Sequence, residues 1–305
     1  MKKFRYNTEG RWFKGGTHAH SIHSDGGLTV EQLGAMYAGA GFDFLFLTDH
    51  WVCSHAAERP AGDPLVWMDG VELDGKTAAG RPYHIVCLGT FNGLTDDMTL
   101  EQAAAQARRE GGLLILAHPH WMGNIQEDAS APSIAGLEGG FDGVEVYNHV
   151  CRWLNGKGDG LIFWTGMLDS GCDTLAFASD DVHYSGPDNG WNGGWVMVNA
   201  SECTQPAVLQ AIRKGNFYAS TGPGFESIRL EGDELVIETT PVQFIRLVGP
   251  AYHAVPLGSY GAPQMHSARI NLPTDWHYCY VEIEDGHGKR AWSNTLFVDD
   301  GKPGK

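Results

Sequence analysis

Phe42-Asp43-Phe44-Leu45-Phe46-Leu47-Thr48-Asp49-His50 is the stretch that decides the fold. Its near-continuous apolar run reads as a strand buried on both faces, and it stops on a Thr-Asp-His that can carry chemistry. The pattern recurs: strands are expected at 65–72, 83–88, 112–117, 142–147 and 174–179 as well as at 42–48. Helix-like segments lie at 29–40, 99–111, 159–171 and 204–214. Two of them open on capping boxes, Thr29-x-x-Gln32 and Thr99-x-x-Gln102, which satisfy free N–H groups at a helix start. Alternating β and α elements predict an α/β fold with a parallel sheet, open or closed into a barrel.

From about residue 225 the pattern changes. Strand-like alternation at 227–230, 235–237, 244–248 and 268–272 leads to a hairpin of 278–283 and 291–298 around Asp285-Gly286-His287-Gly288. No helix signal interrupts it. A small all-β, sandwich-like C-terminal domain is expected over 223–305. The loop Ser220-Thr221-Gly222-Pro223-Gly224 separates it from a first domain over 1–222.

Histidines and carboxylates follow the apolar runs in turn: His18 and His20, Asp49-His50, Glu72, His118, and Asp180-Asp181-x-His183, with Glu145 inside the 142–147 strand. In a barrel of parallel strands all these ends open on one face, so ligands distant in sequence converge. A single histidine after a strand is usually a surface or capped residue, but that explanation strains over so many consecutive strand ends. In His18-x-His20 the alternation of an extended chain puts both imidazoles on one side, where they can chelate one ion. Glu72 could instead sit at a helix start, and Asp49 or Asp180 could cap a helix.

The chain of 305 residues carries a formal charge of −16, from 21 basic and 37 acidic side chains. No Lys/Arg run offers a phosphate-tracking stripe, which argues against nucleic acid as a primary partner. A small-molecule substrate fits better, and bound divalent cations would offset part of the acidity. The cysteines at 53, 87, 151, 172, 203 and 279 contain no C-x-x-C pair, so neither a disulfide framework nor a thiolate zinc site is expected. The N-terminus lacks the apolar run of a signal peptide, and no stretch of about 18 apolar residues could span a membrane. The expected compartment is the cytoplasm.

The set His18-x-His20, Asp25 in Ser24-Asp25-Gly26, Thr48-Asp49-His50, Glu72, His84, His118-Pro119 and Asp181-x-His183 resembles the PHP (polymerase and histidinol phosphatase) family over about residues 12–220. The segments Phe217-Tyr218-Ala219-Ser220-Thr221-Gly222 and Ala291-Trp292-Ser293-Asn294 resemble the branch that includes carbaryl hydrolases. This resemblance implies a distorted, TIM-like (β/α)7 barrel with two or three divalent ions per chain. His18, His20, Glu72 and Asp181 would hold one ion. Glu72 would bridge to a second held by His84 and His118, although Tyr83-His84-Ile85-Val86 also reads as a strand with a buried histidine. Asp25, His50 and His183 would hold a third, with Asp25 standing where some relatives carry histidine. The all-nitrogen-and-oxygen donor set suits Zn2+, Mn2+ or Fe2+.

Hydrolysis would then proceed through a metal-bound hydroxide, and no serine in a G-x-S-x-G setting competes for the role. The D-x-H spacing selects Asp181 as ligand and leaves its neighbour Asp180 as a candidate catalytic carboxylate. His120, in His118-Pro119-His120-Trp121, is a candidate to protonate a leaving group. Asn148 and Arg152 could meet a substrate phosphate, and Trp51, Trp121 and Trp191 could form an aromatic wall. The leading expectation is a phosphoesterase acting on a small phosphorylated metabolite. A carbamate or carboxylic ester hydrolase is the alternative, and a non-catalytic binding module would be expected to lack ligands.

Overall fold

The computed structural model describes residues 2–299 apart from 60, 61, 64, 78, 79, 81, 123–136, 138, 139 and 185–189. The first part of the chain runs β1 (Lys2–Phe4), β2 (Arg11–Gly16), α1 (Val30–Gly39), β3 (Phe44–Leu47), β4 (Val66–Lys76), β5 (Pro82–Leu88), α2 (Leu100–Arg109) and β6 (Leu113–Leu116). It continues through β7 (Gly143–Asn148), α3 (His149–Asn155), α4 (Leu161–Asp169), β8 (Leu175–Ser179), β9 (Trp195–Ala200), α5 (Gln205–Arg213) and β10 (Phe217–Ser220). Strands alone follow: β11 (Phe225–Glu231), β12 (Glu234–Val242), β13 (Phe244–Val248), β14 (Ala254–Gly258), β15 (Met265–Asn271), β16 (Tyr280–Glu284), β17 (Arg290–Ser293) and β18 (Phe297–Asp299).

A 13-stranded sheet organises the mixed α/β fold, in the order β14-β13-β16-β17-β10-β9-β2-β3-β4-β5-β6-β7-β8. Strand β3 explains why its sequence is apolar throughout. Phe44 and Phe46 join a cluster with Met68, Val86, Ile115 and Phe177, contributed by β4, β5, β6 and β8. Leu45 and Leu47 point the other way, against Leu33 and Tyr37 of α1. Alternation along the strand therefore buries both faces, and a polar residue at any of the four positions would lose its water. Helices α1 and α2 start at Thr29 and Thr99 with complete capping boxes.

The segments just past β2 and β8, at the two ends of the β2–β8 part of the sheet, touch each other. Beyond β2, Ala19 makes a single parallel bridge to Val182, just past β8. Asp181 N–H donates to His18 O at 3.1 Å and His20 N–H to Val182 O at 3.0 Å. The sheet departs from an all-parallel order in one place, because β5 runs antiparallel to both β4 and β6. The connection between β4 and β5 is shorter than the dozen or so residues a parallel crossover needs, so the two strands form a hairpin.

Of the C-terminal strands, β13, β14, β16 and β17 extend the large sheet. Tyr218, Ala219 and Ser220 of β10 pair with Ser293, Trp292 and Ala291 of β17, so hydrogen bonding is continuous across the boundary expected at 222/223. A second sheet, β11-β12-β15, shares a core with the extended one through Phe225, Ile228, Leu235, Ile245, Val281 and Ile283. The N-terminal β1 pairs with β18. No helix among the described residues is long and apolar enough to cross a membrane.

Candidate metal centre

The strand ends β2, β3, β6 and β8 deliver His18 and His20, His50, His118, and Asp181 and His183 to one region. Glu72 lies within β4, and an isolated bridge to His50 carries the β3–β4 pairing up to it. Because β5 is antiparallel, the end it presents to this region is its beginning. That is where His84 sits, opposite Asp74 of β4.

The tightest group joins His18, His20, Glu72 and Asp181, all buried. His18 Nε2 lies 3.0 Å from Glu72 Oε2 and 3.2 Å from Asp181 Oδ1. His20 Nε2 is 3.1 and 3.2 Å from the same two oxygens. Two of these converging atoms, His20 Nε2 and Asp181 Oδ1, are buried without a hydrogen bond of ordinary geometry. Buried polar atoms are normally satisfied, so two unsatisfied atoms that can each offer a lone pair fit the demand of a cation held between them. Around Glu72 Oε1 stand His84 Nδ1 at 2.8 Å and His118 Nε2 at 3.5 Å, the latter also 3.7 Å from Asp181 Oδ2. His50 Nε2 is 3.5 Å from Glu72 Oε2, so His50, Glu72 and His84 also form a potential donor group. On the outer side Asp25 Oδ2 meets His183 Nε2 at 3.2 Å and His50 Nε2 at 3.9 Å, while His20 Nδ1 is 3.6 Å from Asp25 Oδ1. All nine sequence-selected ligand candidates are thus brought together in neighbouring groups.

Charge explains why such a cluster holds together in the bare chain. Burial alone would pull His18, His50, His118 and His183 towards neutrality, yet neighbouring carboxylates overcome it. Asp181, Glu72 and Glu145 push His18 well above the ordinary histidine value. The bond to Asp25, with the charge of Asp181, lifts His183 to about 9. Glu72 and Asp181, though buried, are held below the usual carboxylate range chiefly by His18. Protons on His18, His50, His118 and His183 thus supply positive charge that divalent ions would supply instead.

A supporting layer orients these groups. Asp49 accepts from Ser21 N–H, Ser21 Oγ and Ser24 Oγ, each at 2.7 Å, and so fixes the loop carrying His20 and Asp25. A Cβ on Gly26 would lie 2.4 Å from His20 O, so only glycine lets this loop fold back on the ligand. Asp74 Oδ1 stands 3.1 Å from His50 Nδ1. His118 and Asp181 have left-handed backbones, φ 27° and 56°, a conformation that favours glycine and is retained mostly at functional sites.

Asp180, the candidate catalytic carboxylate of the sequence, is taken up by hydrogen bonds from Tyr37 and the loop after β8. Its Oδ1 accepts from Gly193 N–H at 2.8 Å and Gly194 N–H at 2.9 Å. Its Oδ2 accepts from Asn192 N–H at 2.7 Å and Tyr37 Oη at 2.8 Å. A buried carboxylate with both oxygens so occupied anchors the loop after β8 and has no oxygen left for chemistry. His120 lies half-buried in the turn after His118, and no hydrogen bond of its side chain is found among the described residues. Trp121, also in that turn, presents its ring edge-on to His84 and His118, centroids 5.9 and 5.3 Å apart. The other tryptophans pack loops: Trp51 donates to Asp74 O at 2.9 Å, and Trp191 contacts Tyr37. Arg152 is exposed and turned to Gly156 O at the end of its own helix, and Asn148 is buried beneath the ligands. Sequence reasoning set Glu145 among the converging carboxylates but gave it no role, although a lone carboxylate in the apolar run Val144-Glu145-Val146 was a usable signal.

No family model matches the chain, and no curated protein matches it. It shares its fold with a two-domain protein from Bacteroides vulgatus that contains a predicted PHP-like metal-dependent phosphoesterase. The TM-score is 0.56 at 15% identity, over 97% of this chain and 98% of that one. Weaker likenesses are to an amidohydrolase from Chromobacterium violaceum (TM-score 0.46, 17% identity, 67% of this chain and 96% of that one) and to a provisionally assigned metal-dependent phosphoesterase from Bifidobacterium adolescentis (0.42, 14%, 59% and 92%). At these identities the likeness is one of fold.

Proposed function

We propose that this chain is a PHP-type metal-dependent hydrolase that cleaves a small phosphorylated metabolite at a di- or trinuclear site. The observation that carries the reading is the pair of unsatisfied buried atoms, His20 Nε2 and Asp181 Oδ1, converging with His18 and Glu72 on one point. The contact between the segments just past β2 and β8 supports reading residues 1–222 as a distorted seven-stranded barrel, with 223–305 as its β accessory unit.

His18, His20, Glu72 and Asp181 would hold one ion; Glu72, His84 and His118 a second; and Asp25, His50 and His183 a third. The donors suit Zn2+, Mn2+ or Fe2+ alike. When bound, such ions lower the pKa of water and stabilise charge gathering on phosphoryl oxygens. Glu72, with one oxygen towards each inner group, keeps the two positions in register. Asp25, half-exposed, forms the outer edge, which a small substrate would approach. His120 is the candidate proton donor to the leaving oxygen, and Trp121 bounds the approach beside His84 and His118.

One observation favours the second reading, a carbamate or carboxylic ester substrate. Among the described residues no lysine or arginine pairs with Asp25, Glu72 or Asp181, whose only ion-pair partners are histidines. With Trp121 as the visible wall, a neutral aromatic group is accommodated as readily as a phosphate.

The test is metal analysis of the purified chain, followed by a panel of phosphomonoesters, phosphodiesters and aryl carbamates. At least two ions per chain and turnover on a phosphate ester are expected, with His20→Ala abolishing both. Turnover confined to carbamates would select the second reading. Substoichiometric metal after reconstitution, with His20→Ala leaving every activity intact, would sink both.

A further inference from the structure

We propose that Glu145 is a positioning residue that ties the two inner ligand groups together, setting the tautomer of His18 with one oxygen and the backbone of His118 with the other. The inference rests on the metal-dependent reading above and concerns how that site is built.

Glu145 is 1% exposed and reaches three strand ends at once. Its Oε1 stands 2.8 Å from His18 Nδ1 and accepts from Ser179 Oγ at 2.6 Å. Its Oε2 accepts the backbone N–H of His118 at 2.9 Å and the Asn148 amide at 2.8 Å. The same Asn148 nitrogen lies 3.2 Å from Asp181 Oδ2. His18, His118 and Asp181 follow β2, β6 and β8, so this one carboxylate links elements that share no ladder beyond the bridge at Ala19.

The chemistry fixes the direction of each bond. An ionised carboxylate only accepts, so the proton of a neutral His18 belongs on Nδ1. The Nε2 lone pair then faces Glu72 Oε2 and Asp181 Oδ1, where a cation would be held. The other oxygen faces two N–H donors, and the one from His118 is a backbone group that cannot reverse. That bond restrains a residue at φ 27°, a backbone conformation that side-chain-bearing residues rarely adopt.

Glu145→Gln is nearly isosteric and separates these roles. The amide oxygen must stay with His118 N–H and Asn148, because two donors already point there. The NH2 then faces His18 Nδ1, which has to accept, and the ring proton moves to Nε2, into the position of the ion. The expected result is a ten- to hundredfold weaker Zn2+ affinity, read by competition with a chromophoric chelator on the metal-stripped chain. Affinity within twofold of the unsubstituted protein would overturn the proposal. A second measurement needs no variant: in Zn2+-loaded protein, histidine 15N NMR should find His18 protonated at Nδ1, and an unprotonated Nδ1 overturns the proposal even if Glu145→Gln does not fold. Failure of the unsubstituted chain to bind Zn2+ would defeat the hydrolase reading and this inference together, whereas tight binding by both proteins would defeat only the inference.

Discussion

Replacing Asp180 separates an anchor from a catalyst, and the structure sets the size of the effect. In Asp180→Asn the remaining oxygen can keep the N–H groups of Gly193 and Gly194, now at 2.8 and 2.9 Å. The new NH2 then faces two former donors, Asn192 N–H and Tyr37 Oη, at 2.7 and 2.8 Å. The tyrosine hydroxyl can turn and accept, but a backbone N–H cannot. One donor, on exposed Asn192, therefore loses its acceptor; because water can reach it, the loss is the net worth of a hydrogen bond, about 0.5–1.5 kcal/mol. Asp180→Ala also strands the N–H groups of buried Gly193 and Gly194, at about 1–3 kcal/mol each, and should cost roughly 2–6 kcal/mol beyond that first loss. Urea denaturation of the metal-free proteins measures both values. Metal content and turnover of folded Asp180→Asn are expected to stay within about twofold of the parent, since neither carboxylate oxygen reaches the ligands. An Asp180→Asn protein with unchanged stability and full metal but no turnover would refute this reasoning and restore Asp180 to the reaction.

Two further outcomes follow from the same geometry. His183 is raised from 6.5 to about 9, so its stabilising contribution in the metal-free chain is complete below about 6.5 and lost as pH rises through about 9. Urea midpoints should therefore fall between pH 7 and pH 10, while Zn2+ affinity rises over the same interval as imidazole protons leave; a flat affinity profile would contradict the protonated cluster. Gly26→Ala would place a Cβ 2.4 Å from His20 O and 2.8 Å from Ser21 N, both backbone atoms, so the His20 loop must shift. A loss of about 1–3 kcal/mol, with weakened metal binding, is expected from calorimetry and chelator competition, and wild-type values for both would show that the loop has room to spare.

How much of this was legible in the sequence depended on how local the deciding physics is. The capping boxes at Thr29 and Thr99 involve residues three apart and were read correctly from the chain alone. The run 42–48 was legible because a strand buried on both faces has no polar position to spare. The direction of β5 was missed, though the short connection after Lys76 already excluded a parallel crossover. The ladder between β10 and β17 joins residues 218–220 to 291–293, and no local pattern announces a pairing over that distance. Asp180 and Asp181 differ only in what comes to meet them. The backbone of Asn192, Gly193 and Gly194 claims the first, and the imidazoles of His18 and His20 converge on the second. Glu145, named in the sequence but given no role there, is instructive. Alternation in Val144-Glu145-Val146 turns the carboxylate away from its apolar neighbours. Burying that charge costs several kcal/mol unless donors meet it. A strand that keeps such a residue must have donors waiting on its other face, and here they are His18, the His118 backbone, Asn148 and Ser179. The lone acid in an apolar strand therefore pointed to the ligand shell before any coordinate did.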